Sequence, residues 1–253
     1  MKRLAVTADD FGLTRGVTDG IIEAHRSGIV TRTSIIAAGR AFDYAVEAAR
    51  ANPGLAVGLH FTLIEERSVS DPARRLPPTY VGVVLGQLPL AFVEAELRAQ
   101  LGKCAAAGLS LTHIDSHQHV HTMPSILEIV LRVAVEAGIQ RVRLPLDSLQ
   151  LASPAKSALC LMARLARSRY PGRFVCDRLA GLHESGALDE AALLRIIDGL
   201  GEGTTELVCH PGKADADCHE HYAHWGYHWD DELAALTSPK VRERLRANSI
   251  DLA

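Results

Sequence analysis

The chain has 253 residues, 47% of them hydrophobic and 23% charged, with a formal net charge of −3. This is the composition of a soluble globular chain, long enough to bury a core without staples, and it supplies no basic footprint for nucleic acid or a membrane surface. Five scattered cysteines without a C-x-x-C spacing argue against a disulfide framework or a zinc ribbon and favour a reducing, cytoplasmic compartment.

Met1-Lys2-Arg3 precedes only five small or apolar residues before Asp9 and Asp10, too short a run for a signal peptide. Residues 4–8 read as a buried parallel strand that ends in a polar loop. Val17, Ile21, Ile22 and Ala24, with Gly28 beyond them, predict a helix over 17–26. A second strand follows over 31–38, then an alanine-rich helix over 42–51 and a third strand over 56–61 that brings His60 to its end. Residues 62–89 carry Pro72, Pro77, Pro78 and Pro89, and a loop of that length inside a compact domain is commonly functional. The apolar stretch 80–93 is broken by Gly82, Gly86, Gln87 and Pro89 and cannot span a membrane. Beyond it come a helix over 92–107, a strand over 111–117, a helix over 124–137 and a strand over 141–145. A helix over 154–169, a weak strand over 173–176 and a helix over 189–200 come next. A strand over 205–210 stops at Pro211-Gly212, and a last helical stretch over 230–247 is interrupted at Ser238-Pro239. This alternation, without repeat or linker, predicts one domain over 1–253: an α/β fold whose parallel sheet closes, or nearly closes, into a barrel. Neither a G-x-G-x-x-G after the first strand nor a G-x-x-x-x-G-K-[ST] occurs, so nucleotide binding has no motif behind it.

In such a barrel the chemistry collects where strands end at the C-terminal rim. An aspartate after a strand commonly caps the next helix, but two adjacent buried carboxylates repel unless a cation or a proton relieves them. Asp9 and Asp10 therefore suit a metal ligand beside a general base. His113, Asp115, His117 and His119 alternate, so they share a face if their strand continues. Four polar residues at that period have no hydrophobic-core rationale, and imidazole with carboxylate suits Zn²⁺, Mn²⁺, Fe²⁺ or Co²⁺ better than Mg²⁺. His60 reads either as a rim histidine or as a ligand. His210 either caps its strand or donates a proton to a leaving group. Arg143, between Val142 and Leu144, is predicted to point into the barrel, where it needs a carboxylate, and Asp9 is the natural partner. Both tryptophans and two of the five tyrosines fall between residues 222 and 229. Trp225, Tyr227 and Trp229 either stack on a sugar ring or pack on the barrel. The histidines among them fit no closed zinc pattern.

Thr7-Ala8-Asp9-Asp10-Phe11-Gly12, Gly58-Leu59-His60, Asp115-Ser116-His117-Gln118-His119-Val120-His121 and Cys209-His210-Pro211-Gly212 occur in the order found in the YdjC-like carbohydrate deacetylases. The chain resembles that family, which includes chitooligosaccharide deacetylases and hopanoid-biosynthesis-associated deacetylases, from Arg3 to about Ile250. The resemblance implies a distorted, incompletely closed (β/α) barrel of the polysaccharide-deacetylase type. It implies one divalent ion (Mg²⁺ or Zn²⁺, with Mn²⁺ or Co²⁺ as alternatives) on Asp10, His60 and His117. Asp9 matches the general base, His210 the general acid and Arg143 the arginine that orients the base. The implied reaction is hydrolytic deacetylation of an N-acetylated sugar or glycolipid, and a homodimer is compatible with it. The chain departs from the chitooligosaccharide members in a shorter segment between His60 and Phe92 and in its aromatic run at 219–229. Both regions would border the substrate, so the sugar stays open.

Two rivals carry their own discriminators. Amidohydrolase- or histidinol-phosphatase-type barrels place an H-x-H on the first strand, where this chain carries Asp9-Asp10 and has its H-x-H on the fourth. A non-catalytic metal- or sugar-binding protein would have no need of both a base at Asp9 and an acid at His210.

Overall fold

The computed structural model describes residues 1–150, 154–174 and 176–253. Its elements run β1 (Lys2–Phe11), α1 (Arg15–Ser27), β2 (Arg32–Ile35), α2 (Phe42–Arg50), β3 (Ala56–Phe61), α3 (Tyr80–Val84), α4 (Leu90–Ala106) and β4 (Ile114–Ser116). They continue through α5 (Pro124–Glu136), α6 (Pro154–Arg169), β5 (Arg178–Ala180), α7 (Glu190–Asp198), β6 (Gly203–Cys209), α8 (Ala216–His221), α9 (Trp229–Thr237), α10 (Pro239–Ala247) and β7 (Ile250–Leu252). All the pairings between these strands are parallel, and the order across the sheet is β4-β3-β2-β1-β6-β5.

β1 is the axis of the sheet. It is buried from Leu4 to Phe11, as a strand covered on both faces must be. Lys2–Ala8 pairs with Gly203–Cys209 of β6 along one edge. The other edge is shared, with β7 along Lys2–Leu4 and β2 from Thr7 onward. The helices pack their apolar faces on this sheet. α1 starts on Thr14, whose hydroxyl accepts from the Val17 amide at 3.1 Å.

The two edges of the curled sheet, β4 and β5, are linked by a thin seam and not by a continuous ladder. Val142 bridges Ile114 on one side and Phe174 on the other, and the Leu179 amide donates to the Leu146 carbonyl at 3.1 Å. The strand expected over 141–145 is thereby corrected to two isolated bridges at Val142. Pro145 has no N–H to give a ladder, and Leu146 folds back on the Leu144 carbonyl at 2.8 Å. The weak strand expected over 173–176 includes residue 175, which lies outside the described residues, and β5 forms just beyond it. The result is the distorted, incompletely closed barrel implied by the family resemblance. Among the described residues, no helix is long and apolar enough to cross a membrane.

The loop over 62–89 is fastened to the barrel by Glu96 of α4, which is fully buried. Its carboxylate accepts from the Ser68 and Ser70 hydroxyls at 2.5 and 2.6 Å, the Val69 amide at 2.8 Å and Gln100 Nε2 at 2.8 Å. Burial alone would push this carboxyl up, but those donors outweigh it and hold it below the ordinary range.

Candidate metal centre

The last residues of β1 break the alternation of a regular strand. The pairing with β2 shifts register between Ala8 and Phe11, and Asp10 takes a φ of 67°. A left-handed backbone at a non-glycine residue costs roughly 1–3 kcal/mol. This bulge lets both adjacent carboxylates approach one imidazole: His60 Nε2 lies 3.3 Å from Asp10 Oδ1, and His60 Nδ1 lies 4.0 Å from Asp9 Oδ2.

Asp10 Oδ1, His60 Nε2 and His117 Nδ1 form a triangle with edges of 3.3, 3.2 and 3.4 Å. All three residues are buried, and neither Asp10 oxygen has a hydrogen-bond partner. The two imidazoles come close to Oδ1 without the alignment of hydrogen bonds. Ligand atoms about 2.0–2.2 Å from a shared ion would have edges of this length. A buried carboxylate with no donor is costly unless a cation compensates it, so the donor set fits a divalent ion.

Around the triangle lies a charged frame. His60 pairs across the sheet with Asp115, and its Nδ1 lies 2.7 Å from Asp115 Oδ1, which turns Nε2 toward Asp10. Arg143, fully buried, donates to both Asp9 oxygens at 2.6 and 2.8 Å. It also lies 2.9 Å from Asp115 Oδ2 and donates to Glu206 Oε1 at 3.0 Å. One guanidinium thus faces three buried carboxylates. Burial pushes the Asp9 carboxyl up, and Arg143 opposes that without reversing it. For Asp115, Arg143 and His60 overcome burial and hold the carboxyl below its ordinary range.

The histidine-rich run does not stay a strand. β4 ends at Ser116, and Gln118 and His119 take φ values of 51° and 54°. The expected common face of His113, Asp115, His117 and His119 is therefore broken after His117. His121 turns inward to meet Ser116 Oγ at 2.5 Å and the Arg143 carbonyl at 2.8 Å. His113 packs against Gly58, where an added Cβ would come within 2.4 Å of its ring.

On the opposite side, His210 leaves the end of β6. Its amide donates to Glu232 of α9 at 2.6 Å, and its buried Nδ1 has no hydrogen-bond partner. Glu232 also accepts from the Leu188 amide, and burial raises its carboxyl. The Tyr227 ring sits 4.9 Å from His210 and the Trp225 ring 4.8 Å from His117. Tyr227 fits only because Gly186, at φ 83°, has no Cβ, which would lie 2.3 Å from the phenol ring. Trp229 is corrected from a sugar-stacking candidate to a core residue. It is 4% exposed and packs on Gly212, so it offers no face to a ligand.

Three carboxylates here escaped the sequence reading: Glu65, Glu206 and Glu232. Only Glu206 left a signal, as a charge inside an apolar strand. Glu65 Oε2 lies 3.1 Å from His117 Nε2.

Protons and a cation compete for these imidazoles. Burial alone would lower His60, but Asp9, Asp115 and Asp10 carry it to about 10. His117 is likewise carried to about 9 by Asp10 and Glu65 against burial. A cation that binds at neutral pH must displace these protons, so metal affinity is expected to rise steadily from pH 6 to pH 8, roughly the span below both groups. Calorimetry in buffers of different ionisation enthalpy should record proton release on binding; an affinity flat with pH would contradict this.

A profile of the family described as YdjC-like protein matches residues 3–247. A human carbohydrate deacetylase is 33% identical over 290 aligned residues, covering 99% of this chain and 89% of that protein. The crystal structure of an Enterococcus faecalis V583 protein, a candidate for cellobiose-phosphate cleavage, superposes with a TM-score of 0.79 at 28% identity, covering 100% of this chain and 97% of that one. A family 4 carbohydrate esterase from Streptomyces lividans, solved with acetate, shares the fold at a TM-score of 0.54 and 13% identity, covering 100% of this chain and 92% of that one. With its profile spanning nearly every residue and its Asp-His-His triangle at the rim of the barrel, the chain belongs to the YdjC-like family.

Proposed function

We propose that this protein is a metal-dependent carbohydrate deacetylase, which hydrolyses the acetamide of an N-acetylated sugar to acetate and a free amine. The observation that carries the metal dependence is the Asp10–His60–His117 triangle around a carboxylate with no hydrogen-bond donor. The carbohydrate deacetylase named among the relatives supports the reaction class. An N-acetylglucosamine-containing oligosaccharide is the first substrate class, and an N-acetylated glycolipid head group is the second.

Asp10, His60 and His117 would hold the ion, with Asp115 orienting His60 and Glu65 meeting His117. A divalent ion bound there would polarise the acetyl carbonyl and acidify water. Asp9 removes the proton of the attacking water. Burial tunes its carboxyl upward, toward the range where a base is effective, and Arg143 fixes both of its oxygens. His210 delivers a proton to the departing amine, with its backbone held by Glu232 and its ring flanked by Tyr227. Trp225 and Tyr227 offer aromatic faces beside the site for a sugar ring.

Acetate release from N,N′-diacetylchitobiose and from N-acetylglucosamine tests this reading. Activity is expected to vanish on chelation and return with Zn²⁺, Mn²⁺, Mg²⁺ or Co²⁺, and the order of recovery ranks the ions. Acetate release that persists after complete chelation would overturn the metal dependence. No release from these sugars or from acylated glycolipids with any ion would overturn the deacetylase reading.

A further inference from the structure

Two segments distant in sequence meet over His117, the loop over 62–89 and the stretch over 216–229. Two consecutive glutamates join them. Glu65 turns Oε2 to His117 Nε2 at 3.1 Å, while Oε1 accepts from Trp225 Nε1 at 3.0 Å and lies 3.1 Å from His224 Nε2. Glu66 accepts from the Tyr222 hydroxyl at 2.6 Å and does not touch a member of the triangle. Glu65 reaches this position with a left-handed φ of 66°, a conformation that persists only where the surroundings enforce it.

The chemistry of His117 gives this contact a purpose. Its Nδ1 faces Asp10, so an ion at the triangle takes the Nδ1 lone pair and leaves the ring proton on Nε2. That proton needs an acceptor, and Glu65 Oε2 is the acceptor it meets. A carboxylate behind a ligating imidazole fixes its tautomer and orientation and makes it a stronger donor to the metal.

Resting on the metal-centre reading above, we propose that Glu65 is a positioning residue with two tasks. One oxygen sets the tautomer and orientation of His117, and the other seats Trp225 beside the ion. A single carboxylate thereby joins the ion-binding histidine to the aromatic segment that faces the sugar. Glutamine cannot perform both tasks. If its one oxygen accepts from Trp225, its NH₂ confronts the His117 N–H, donor against donor; if it flips, Trp225 loses its acceptor.

The test is the Zn²⁺ dissociation constant of the full chain, read by competition with a chelating indicator, for wild type, D10N, E65Q and E66Q. E65Q is expected to weaken Zn²⁺ binding by about 10–100-fold. E66Q, which makes the Tyr222 contact between the same two segments neutral instead of charge-assisted and leaves the Glu65–His117 contact in place, is expected to bind like wild type. Wild-type affinity in E65Q, with binding lost in D10N, would overturn the proposal alone. An equal loss in E65Q and E66Q would also overturn it, because loop packing would then account for the effect. Unchanged binding in D10N would overturn the metal-centre reading and the proposal with it. Should E65Q fail to fold, Glu65→Asp keeps the charge but shortens the reach, and weakened Zn²⁺ binding is expected again; wild-type binding there, with D10N impaired, would count against the proposal.

Discussion

Asp9→Asn is expected to retain a wild-type complement of divalent ion while kcat for acetate release falls by roughly 10²–10⁴-fold. Asp9 lies outside the triangle of ligand atoms, 4.0 Å from His60 Nδ1, and both of its oxygens are engaged by Arg143. Asparagine preserves the shape and one acceptor for the guanidinium but cannot take a proton from water. His117→Ala, by contrast, removes a corner of the triangle and should lose ion and turnover together. Metal content by mass spectrometry and kcat by acetate assay, on the same preparations, separate the two roles. Equal metal loss in both variants would refute the division between base and ligand.

Arg143→Met is expected to destabilise the fold by about 3–5 kcal/mol at neutral pH, because it strips the counterion from a fully desolvated cluster. Asp9, Asp115 and Glu206 would then face one another with no guanidinium between them. The pH dependence follows from Asp115, whose folded carboxyl is held below its unfolded value. That contribution is fully present above the unfolded pKa, near 4, and fades as pH falls through the folded one. Without Arg143 the same buried carboxyl would take up a proton early. The gap between wild type and variant should therefore narrow from pH 7 toward acid, which urea melts at several pH values would reveal. A gap that widens toward acid would refute the account. Arg132, on exposed pairs with Glu94 and Glu136, serves as the comparison, and its replacement should barely move the midpoint.

The sequence disclosed what local pattern controls. β3 occupies the predicted residues 56–61, and the helix break at Ser238-Pro239 separates α9 from α10. The apolar run before Asp9-Asp10 is the central strand, although β1 continues through both aspartates to Phe11. It could do so because Arg143 and the two imidazoles receive carboxylates that a solitary strand would have to expose. A buried strand arginine needs a carboxylate, and Arg143 meets Asp9 with two hydrogen bonds. Illegible residues were those whose setting is made by distant chain. Glu65 sits in a loop and Glu232 on a helix, and nothing local marks Glu232 as buried or brings Glu65 to His117. Trp229 resembled its neighbours in composition, yet Gly212 opens a seat in the core that only the folded chain reveals. The break after His117 arises from two consecutive left-handed residues, Gln118 and His119, which alternation cannot foresee.

The pairing of β1 has a consequence for the order in which the molecule is assembled. Its longest partner, β6, lies about 200 positions downstream, with Lys2 opposite Gly203 and Ala8 opposite Cys209. A nascent chain must therefore carry an apolar strand ending in two adjacent carboxylates, with one edge unpaired, until most of the sequence has been made. Contacts of such separation close late and slowly, because loop entropy is lost before they form. The segment 4–8 is then open to chaperones and to self-association during synthesis until β6 covers one edge and β7 completes the other at Leu4.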